Sequence, residues 1–262
     1  MEKAFMNKVV LVTGAGSGIG KAVALKLAAA GAKLALADIN ITACEAVMNE
    51  IQAGNNASII AAYKVDVTKP ESCKQLIVDI AGTYGILDCM AHCAGVLNNA
   101  PFTELSKEQV DFVIDVNLKG ALYIMQAAGQ QMLKQKHGKI CLVASKAGKI
   151  GTPTLAHYTA SKFGVIGLVQ TAAMEWGREG VYVNCICPGE VDTPMLRKSY
   201  EKICEIEGIA MEEQLKIGGD MSIVGRISPS SGVADAMMFL MSEYSNEIMG
   251  QSVNADGGIV FH

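Results

Sequence analysis

The sequence has no surplus of basic charge, no long apolar run, no paired metal-binding cysteines and no low-complexity tract, and each lack removes a class of function. Lys and Arg number 22 against 26 Asp and Glu, a formal net charge of −4, so no basic field exists to hold nucleic acid or an anionic membrane surface. Apolar stretches are broken by Lys, Asp or Gly before the roughly 18 residues that a membrane span needs. Met1 to Lys8 carries charge without a following apolar segment, so no secretory leader is expected. The eight cysteines, at 44, 73, 89, 93, 141, 185, 187 and 204, include no Cys-x-x-Cys pair, and the four histidines, at 92, 137, 157 and 262, show no ligand spacing. Buried thiols in a reducing cytoplasm, and no metal site, are the expectation.

What is present is ample core. Half of the 262 residues are apolar, enough for one large α/β domain or two small ones. Short branched-aliphatic runs alternate with segments of helical period, the pattern of βαβ units in a doubly wound parallel sheet with helices on both faces. Seven strands are expected, at Lys8 to Thr13, Lys33 to Ala37, Ser58 to Val65, Ile86 to Ala91, Gly138 to Ala144, Val181 to Cys187 and Gln251 to Asn254. Helix starts are legible at Thr68-Lys69-Pro70-Glu71, which reads as a Thr cap before a first-turn proline, and at Ser106 ahead of Glu108 and Gln109. No linker or repeat divides the chain, so residues 1–262 read as one domain. The stretch from Glu190 to Arg226 is charged, Gly-interrupted and out of step, and reads as a partly helical flap over a site.

The first strand runs into Thr13-Gly14-Ala15-Gly16-Ser17-Gly18-Ile19-Gly20, followed by a helical stretch. Without a Cβ the backbone can turn tightly, approach a pyrophosphate and aim amide N–H groups and a helix's positive end at it. By itself such a turn is also an ordinary structural one. Asp38, at the end of the second strand, adds a carboxylate that can accept hydrogen bonds from ribose hydroxyls and would repel a 2′-phosphate. No Lys or Arg stands at Ile39, Asn40 or Ser17, so NAD is favoured over NADP.

Tyr158-Thr159-Ala160-Ser161-Lys162 opens a segment of helical period, placing Tyr158 and Lys162 on one face, one turn apart. A phenol titrates near 10, and a neighbouring cation is expected to lower it by roughly 1–3 units, so that Tyr158 can take and return an alcohol proton near neutral pH. Alone, Tyr-x-x-x-Lys is usually an exposed helix pair. Here Ser145 closes the fifth strand, where a hydroxyl can hold a substrate oxygen against the phenol.

The turn lacks the G-x-G-x-x-G pattern and fits G-x-x-x-G-x-G, from Gly14 through Gly18 to Gly20. With Ser145, Tyr158 and Lys162, it resembles the short-chain dehydrogenase/reductase family, and the resemblance runs nearly end to end, to Asp256-Gly257-Gly258. It implies a Rossmann-type sheet and an NAD-dependent oxidoreductase acting between a secondary alcohol and a ketone. It also implies Asn117 as a fourth catalytic residue holding a water in a proton relay, and Asp66 at the adenine edge. The Pro188-Gly189 turn is implied near the nicotinamide, with Val191 and Thr193 holding carboxamide and pyrophosphate. Lys162 is implied at the nicotinamide ribose. Ser17, Ile19, Val67, Ala94 and Gly95 complete the implied cofactor set. One departure stands out: where the family shows Asn-Asn-Ala-Gly, this chain has His92-Cys93-Ala94-Gly95, and Cys93 cannot brace neighbouring strands as an amide does.

The small-molecule substrate is less legible. Ser145 to Gly151 resembles sorbitol-6-phosphate dehydrogenases, and Cys187-Pro188-Gly189 with Gly257 to Phe261 resembles acetoin/butanediol reductases, so a polyol or vicinal diol is expected. Lys146, Lys149, Arg197 and Lys198 are candidates to gather a phosphate or carboxylate, and also read as solvated surface. A hydroxysteroid would need an apolar wall, for which Leu155, Met195, Leu196, Ile209, Met211 and Met221 are candidates. A 3-oxoacyl-carrier-protein reductase calls for NADP and a basic docking patch, against Asp38. An NAD-binding sensor without chemistry would lack Tyr158, Lys162 or Ser145, all present. Family members pair the helices around Val110 to Lys134 and His157 to Gly177, which implies a homotetramer, with a dimer next.

Overall fold

The computed structural model describes residues 4–54 and 59–262. Strand β1 (Val9–Thr13) is wholly buried, as a strand covered on both faces must be. It lies between β2 (Lys33–Asp38) and β4 (Cys89–His92). Adding β3 (Ile60–Lys64), β5 (Gly138–Val143), β6 (Val181–Pro188) and β9 (Ser252–Ala255) gives a seven-stranded sheet in the order β3-β2-β1-β4-β5-β6-β9, with each neighbouring pair parallel. The seven expected strands are these, within a few residues; Ser58, the expected start of the third, lies outside the described residues. The fourth starts at Cys89 rather than Ile86, because Asp88 ahead of it serves β1 and accepts from the Val9 N–H at 2.8 Å.

Alternation along the strands splits the core in two. Val10, Val12, Leu34 and Leu36 face α1 (Gly18–Ala29), α2 (Ile41–Ala53) and α9 (Ser230–Met241). Leu11, Ala35, Ala37 and Leu142 face α3 (Pro70–Tyr84), α5 (Gly120–Gln135) and α6 (Ala156–Trp176). The chain is thus a single doubly wound domain of Rossmann type.

Ser106 starts α4 (Lys107–Ile114) with a reciprocal capping box: its hydroxyl accepts from the Gln109 N–H at 3.2 Å, and the Gln109 amide oxygen accepts from the Ser106 N–H at 3.0 Å. The expected Thr68 cap on α3 is not formed. The Thr68 hydroxyl instead donates to Asp66 Oδ1 at 2.7 Å, and Lys69 holds the cap position without a side-chain bond. Between α4 and α5 the helix continues through a π turn, Asp115–Lys119. The 190–226 stretch is largely helical, with α7 (Pro194–Glu207) and α8 (Met211–Asp220). Its two roots meet in a short parallel pair, β7 (Val191–Asp192) with β8 (Ser228–Pro229), too short for the hydrophobic pattern to announce.

Candidate active site

Strand order reverses between β1 and β4, and at such a switch point the connections diverge and leave a crevice at the carboxyl ends of the strands. A cavity of about 910 Å³ lies there. Its floor is backbone. Gly14 sits at φ +66° with a hypothetical Cβ only 2.6 Å from the Ala94 nitrogen, and a Cβ on Gly20 would be 2.1 Å from the Gly14 oxygen. Gly18, at φ +52°, faces the Thr193 methyl group. Helix α1 begins at this floor with no side-chain cap from Ser17 and no acid in its first turn, so its end N–H groups are left for an anion. Asp38 is fixed beside the turn, accepting from the Gly16 and Asn40 N–H groups at 3.0 Å each. This cradle suits a dinucleotide: glycine where a Cβ would collide, an open helix end for a pyrophosphate, and an acceptor for ribose hydroxyls.

At the start of α6, Tyr158 and Lys162 are buried on one face, with Lys162 Nζ 5.5 Å from the phenol ring centroid. The ammonium donates to the Val143 carbonyl at 2.8 Å, which fixes it at the end of β5. Ser145 follows that strand, accepts from the Ala147 N–H at 3.1 Å and is hydrogen-bonded to the Tyr158 phenol. The expected depression of the phenol is not seen in the chain alone. Burial pushes Tyr158 up to about 12; the Ser145 hydrogen bond opposes this, and the Glu190 carboxylate adds to it. Burial likewise pushes Lys162 down to about 8. Both follow from a dry pocket that disfavours whichever form is charged.

Asn117 lies inside the π turn and is buried. Its amide accepts from the Val96 N–H at 2.8 Å and donates to the Val96 carbonyl at 2.9 Å and to Ser161 Oγ at 3.3 Å. It therefore clamps the loop after β4 one layer behind the cavity, whose lining it does not join. At the departure from the family pattern, the Cys93 thiol points to Met237 Sδ at 3.9 Å, and burial raises it to about 12. The bracing of β1 against β4 falls to Thr13 Oγ1 and His92 Nδ1, 2.7 Å apart. Burial lowers His92 to about 3, so it is neutral, and its Nε2 has no partner among the described residues.

A family model described as short chain dehydrogenase matches residues 8–203. The chain belongs to this family. It is an oxidoreductase acting on CH–OH groups. The 3-oxoacyl-[acyl-carrier-protein] reductase of Thermotoga maritima is 35% identical over 97% of this chain and 98% of that protein. An (S)-acetoin-forming diacetyl reductase of Staphylococcus epidermidis is 35% identical over 98% of this chain and 100% of that protein. The crystal structure of levodione reductase superposes with a TM-score of 0.92 at 27% identity, covering 97% of each chain.

Within this short-chain dehydrogenase, the expected cofactor residues gather on one cavity: Gly14, Ser17, Gly18, Ile19, Gly20, Asp38, Asp66, Val67, Ala94, Gly95, Tyr158, Lys162, Pro188, Gly189, Val191 and Thr193 all line it, as does Ser145. The four cations that could gather an anion do not assemble. Of the four only Lys146 lines the cavity, and it is paired with Glu190. Lys149 is spent on the Ser252 and His262 carbonyls at 2.7 Å each, and Arg197 on Asp192. On the apolar side, Leu155, Met195, Leu196 and Met221 line the cavity, whereas Ile209 and Met211 do not. Ile203 and Ile217 do, and were missed; they recur at helical spacing with Leu196 and with Met221, which would have flagged them. Also missed were Asn99 and Ser199, whose 2.8 Å hydrogen bond ties α7 to the loop after β4.

Proposed function

We propose that the chain transfers a hydride between NAD and a secondary alcohol or ketone, with polyols or vicinal diols as its substrate class. The observation that carries this is that one cavity is lined by Asp38 beside the glycine turn and also by Ser145, Tyr158 and Lys162. Asp38 favours NAD because a 2′-phosphate would meet its negative charge. Residues Gly14 to Gly20 hold the pyrophosphate against the end of α1. Val191 and Thr193 hold the nicotinamide side, and Asp66 and Val67 the adenine side. When bound, oxidised nicotinamide supplies the hydride acceptor and a positive charge. Ser145 holds the substrate oxygen, and Tyr158 takes its proton on oxidation and returns it on reduction. Lys162 supports the phenolic oxygen electrostatically and reaches the nicotinamide ribose. Asn117 positions the loop at Gly95 and the water relay behind Lys162.

The 190–226 segment serves as the substrate flap. Polyols and diols are supported by the polar groups Ser199, Glu190 and Tyr200 of this segment, by Asn99 facing it from the loop after β4, and by the likeness to a diacetyl reductase. A second reading, a hydroxysteroid or 3-oxoacyl substrate, has in its favour the apolar wall of Met195, Leu196, Ile203, Ile217 and Met221. A homotetramer is supported by apolar side chains left in water on α4 to α6, among them Phe112, Leu122, Phe163 and Met174, the last 87% exposed. A reducing cytoplasm is supported by cysteines that are all free thiols.

The test is absorbance at the reduced nicotinamide band, with NAD or NADP offered alongside polyols, polyol phosphates, butanediols, hydroxysteroids and 3-hydroxyacyl thioesters. Turnover with NAD and a polyol or diol is expected. Turnover confined to NADP overturns the role of Asp38, and turnover confined to steroids or thioesters overturns the substrate class.

A further inference from the structure

The cavity wall next to Ser145 contains a buried ion pair that hydride transfer does not use. Lys146, the residue after Ser145, is 6% exposed, and its ammonium pairs with Glu190 Oε1. Glu190 Oε2 accepts from the Tyr200 hydroxyl at 2.9 Å. Gly218 on α8 makes room for that hydroxyl, since a Cβ there would lie 2.0 Å from it. Lys146, Glu190, Tyr200 and Gln214 all line the cavity, and the Glu190 charge acts on Tyr158, so the cluster sits beside the reacting centre.

Taking two charges out of water carries a desolvation penalty of several kcal/mol per ion, and apolar side chains of the same volume would pack as well. The cluster therefore calls for an explanation beyond packing. Among the described residues, each carboxylate oxygen of Glu190 accepts one hydrogen bond, from Lys146 or from Tyr200, and has a second acceptor direction without a partner. An ionised carboxylate only accepts, so whatever completes it must donate. A phosphate or carboxylate would face like charge, and an alkyl chain would leave the acceptor without a partner in a dry wall.

We propose that Glu190, held by Lys146 and Tyr200, is the specificity-determining residue: it accepts a hydrogen bond from a second hydroxyl of the substrate, close to the reacting carbinol, and so selects diols and polyols over mono-alcohols. The inference deepens the substrate reading above and rests on it for the kinetic half of its test.

That test compares 2,3-butanediol with 2-butanol in the wild type, in Glu190→Gln and in Lys146→Met/Glu190→Leu, the last replacing the pair with apolar side chains of similar volume. Two quantities are read: kcat/KM with NAD, and Kd by calorimetry in the presence of NADH. The diol-to-mono-alcohol ratio is expected to fall about tenfold or more in the double variant, with Glu190→Gln between, since its amide keeps one acceptor oxygen. An unchanged ratio in the double variant, with NADH binding retained, overturns the role of Glu190 while leaving hydride transfer intact. If the wild type oxidises neither alcohol, the reading of a small diol as substrate falls, and the calorimetric ratio decides Glu190 by itself.

Discussion

The two ends of the cavity are made of different material. At the glycine turn the walls are backbone: Gly14 lies against Ala94, Gly20 against Gly14, and Asp38 is held by the Gly16 N–H. At the flap the walls are side chains from distant parts of the chain: Lys146 on Glu190, Tyr200 on Glu190, Ser199 on Asn99. Backbone walls recognise what dinucleotides share, phosphates and ribose, and leave little freedom to vary. Side-chain walls can be exchanged one pair at a time, which is how one fold serves relatives with different substrates.

The contrast can be broken most severely at the chemistry between the two ends. Tyr158→Phe is expected to lower kcat about 10²–10⁴-fold while NAD affinity, read by fluorescence titration, stays within about threefold. Retained turnover would take proton transfer away from Tyr158, and lost NAD affinity would make it a binding residue instead. Gly20→Ala tests whether the cradle is limited by backbone. Its Cβ, 2.1 Å from the Gly14 oxygen, should destabilise the fold by about 2–3 kcal/mol in urea titration and weaken NAD binding; a neutral result means the turn relaxes freely. Asp38→Asn removes the repulsion of a 2′-phosphate and should shift the NAD-to-NADP ratio of kcat/KM about tenfold or more toward NADP.

The pH profile sharpens the comparison across the cavity. Burial, and then the Glu190 charge, raise Tyr158 to about 12, so the phenol is protonated and ready to donate at neutral pH. Carbonyl reduction should therefore hold across neutral pH and fall only under alkaline conditions, while alcohol oxidation climbs with pH. Glu190→Gln removes one of the raising causes and should move both curves to lower pH; curves that do not move would uncouple the flap end from the chemistry. The smallest effect is expected for Cys93→Asn, under about 1 kcal/mol in unfolding and within about threefold in NAD affinity, because Thr13 and His92 already brace the strands that the amide would join.

The same division explains what could be read before the structure. The seven parallel strands, the glycine turn and the Tyr158–Lys162 pair follow from local pattern and spacing, since a tight turn needs glycine and Tyr158 and Lys162 need one helical turn; Asp66, Val67, Ala94, Gly95 and Pro188 to Thr193 enter only through the family resemblance. Long-range pairs leave no such trace. Nothing near Lys146 announces that its partner is Glu190, 44 residues away, and so local sequence leaves the lysine open as an anion ligand or as solvated surface, and it is neither. The Tyr158 phenol was misjudged for a related reason: the spacing to Lys162 is visible, but the depth at which both are buried is not. Thr68 lost its cap because Asp66, two residues back, offered its hydroxyl a charged acceptor.

The π turn at Asp115–Lys119 acts as a phase shift. Each residue of a helix turns the next by about 100°, so the wider turn lets Asn117 point toward the loop after β4 while Ala121, Ile124 and Ala128 still face the sheet. Deleting one residue from those five would regularise the winding and force a choice between the clamp on Val96 and the buried stripe of α5. The location of Asn117 is thus encoded in a count of residues along a helix, so a length change there would act on the site as strongly as a substitution within it.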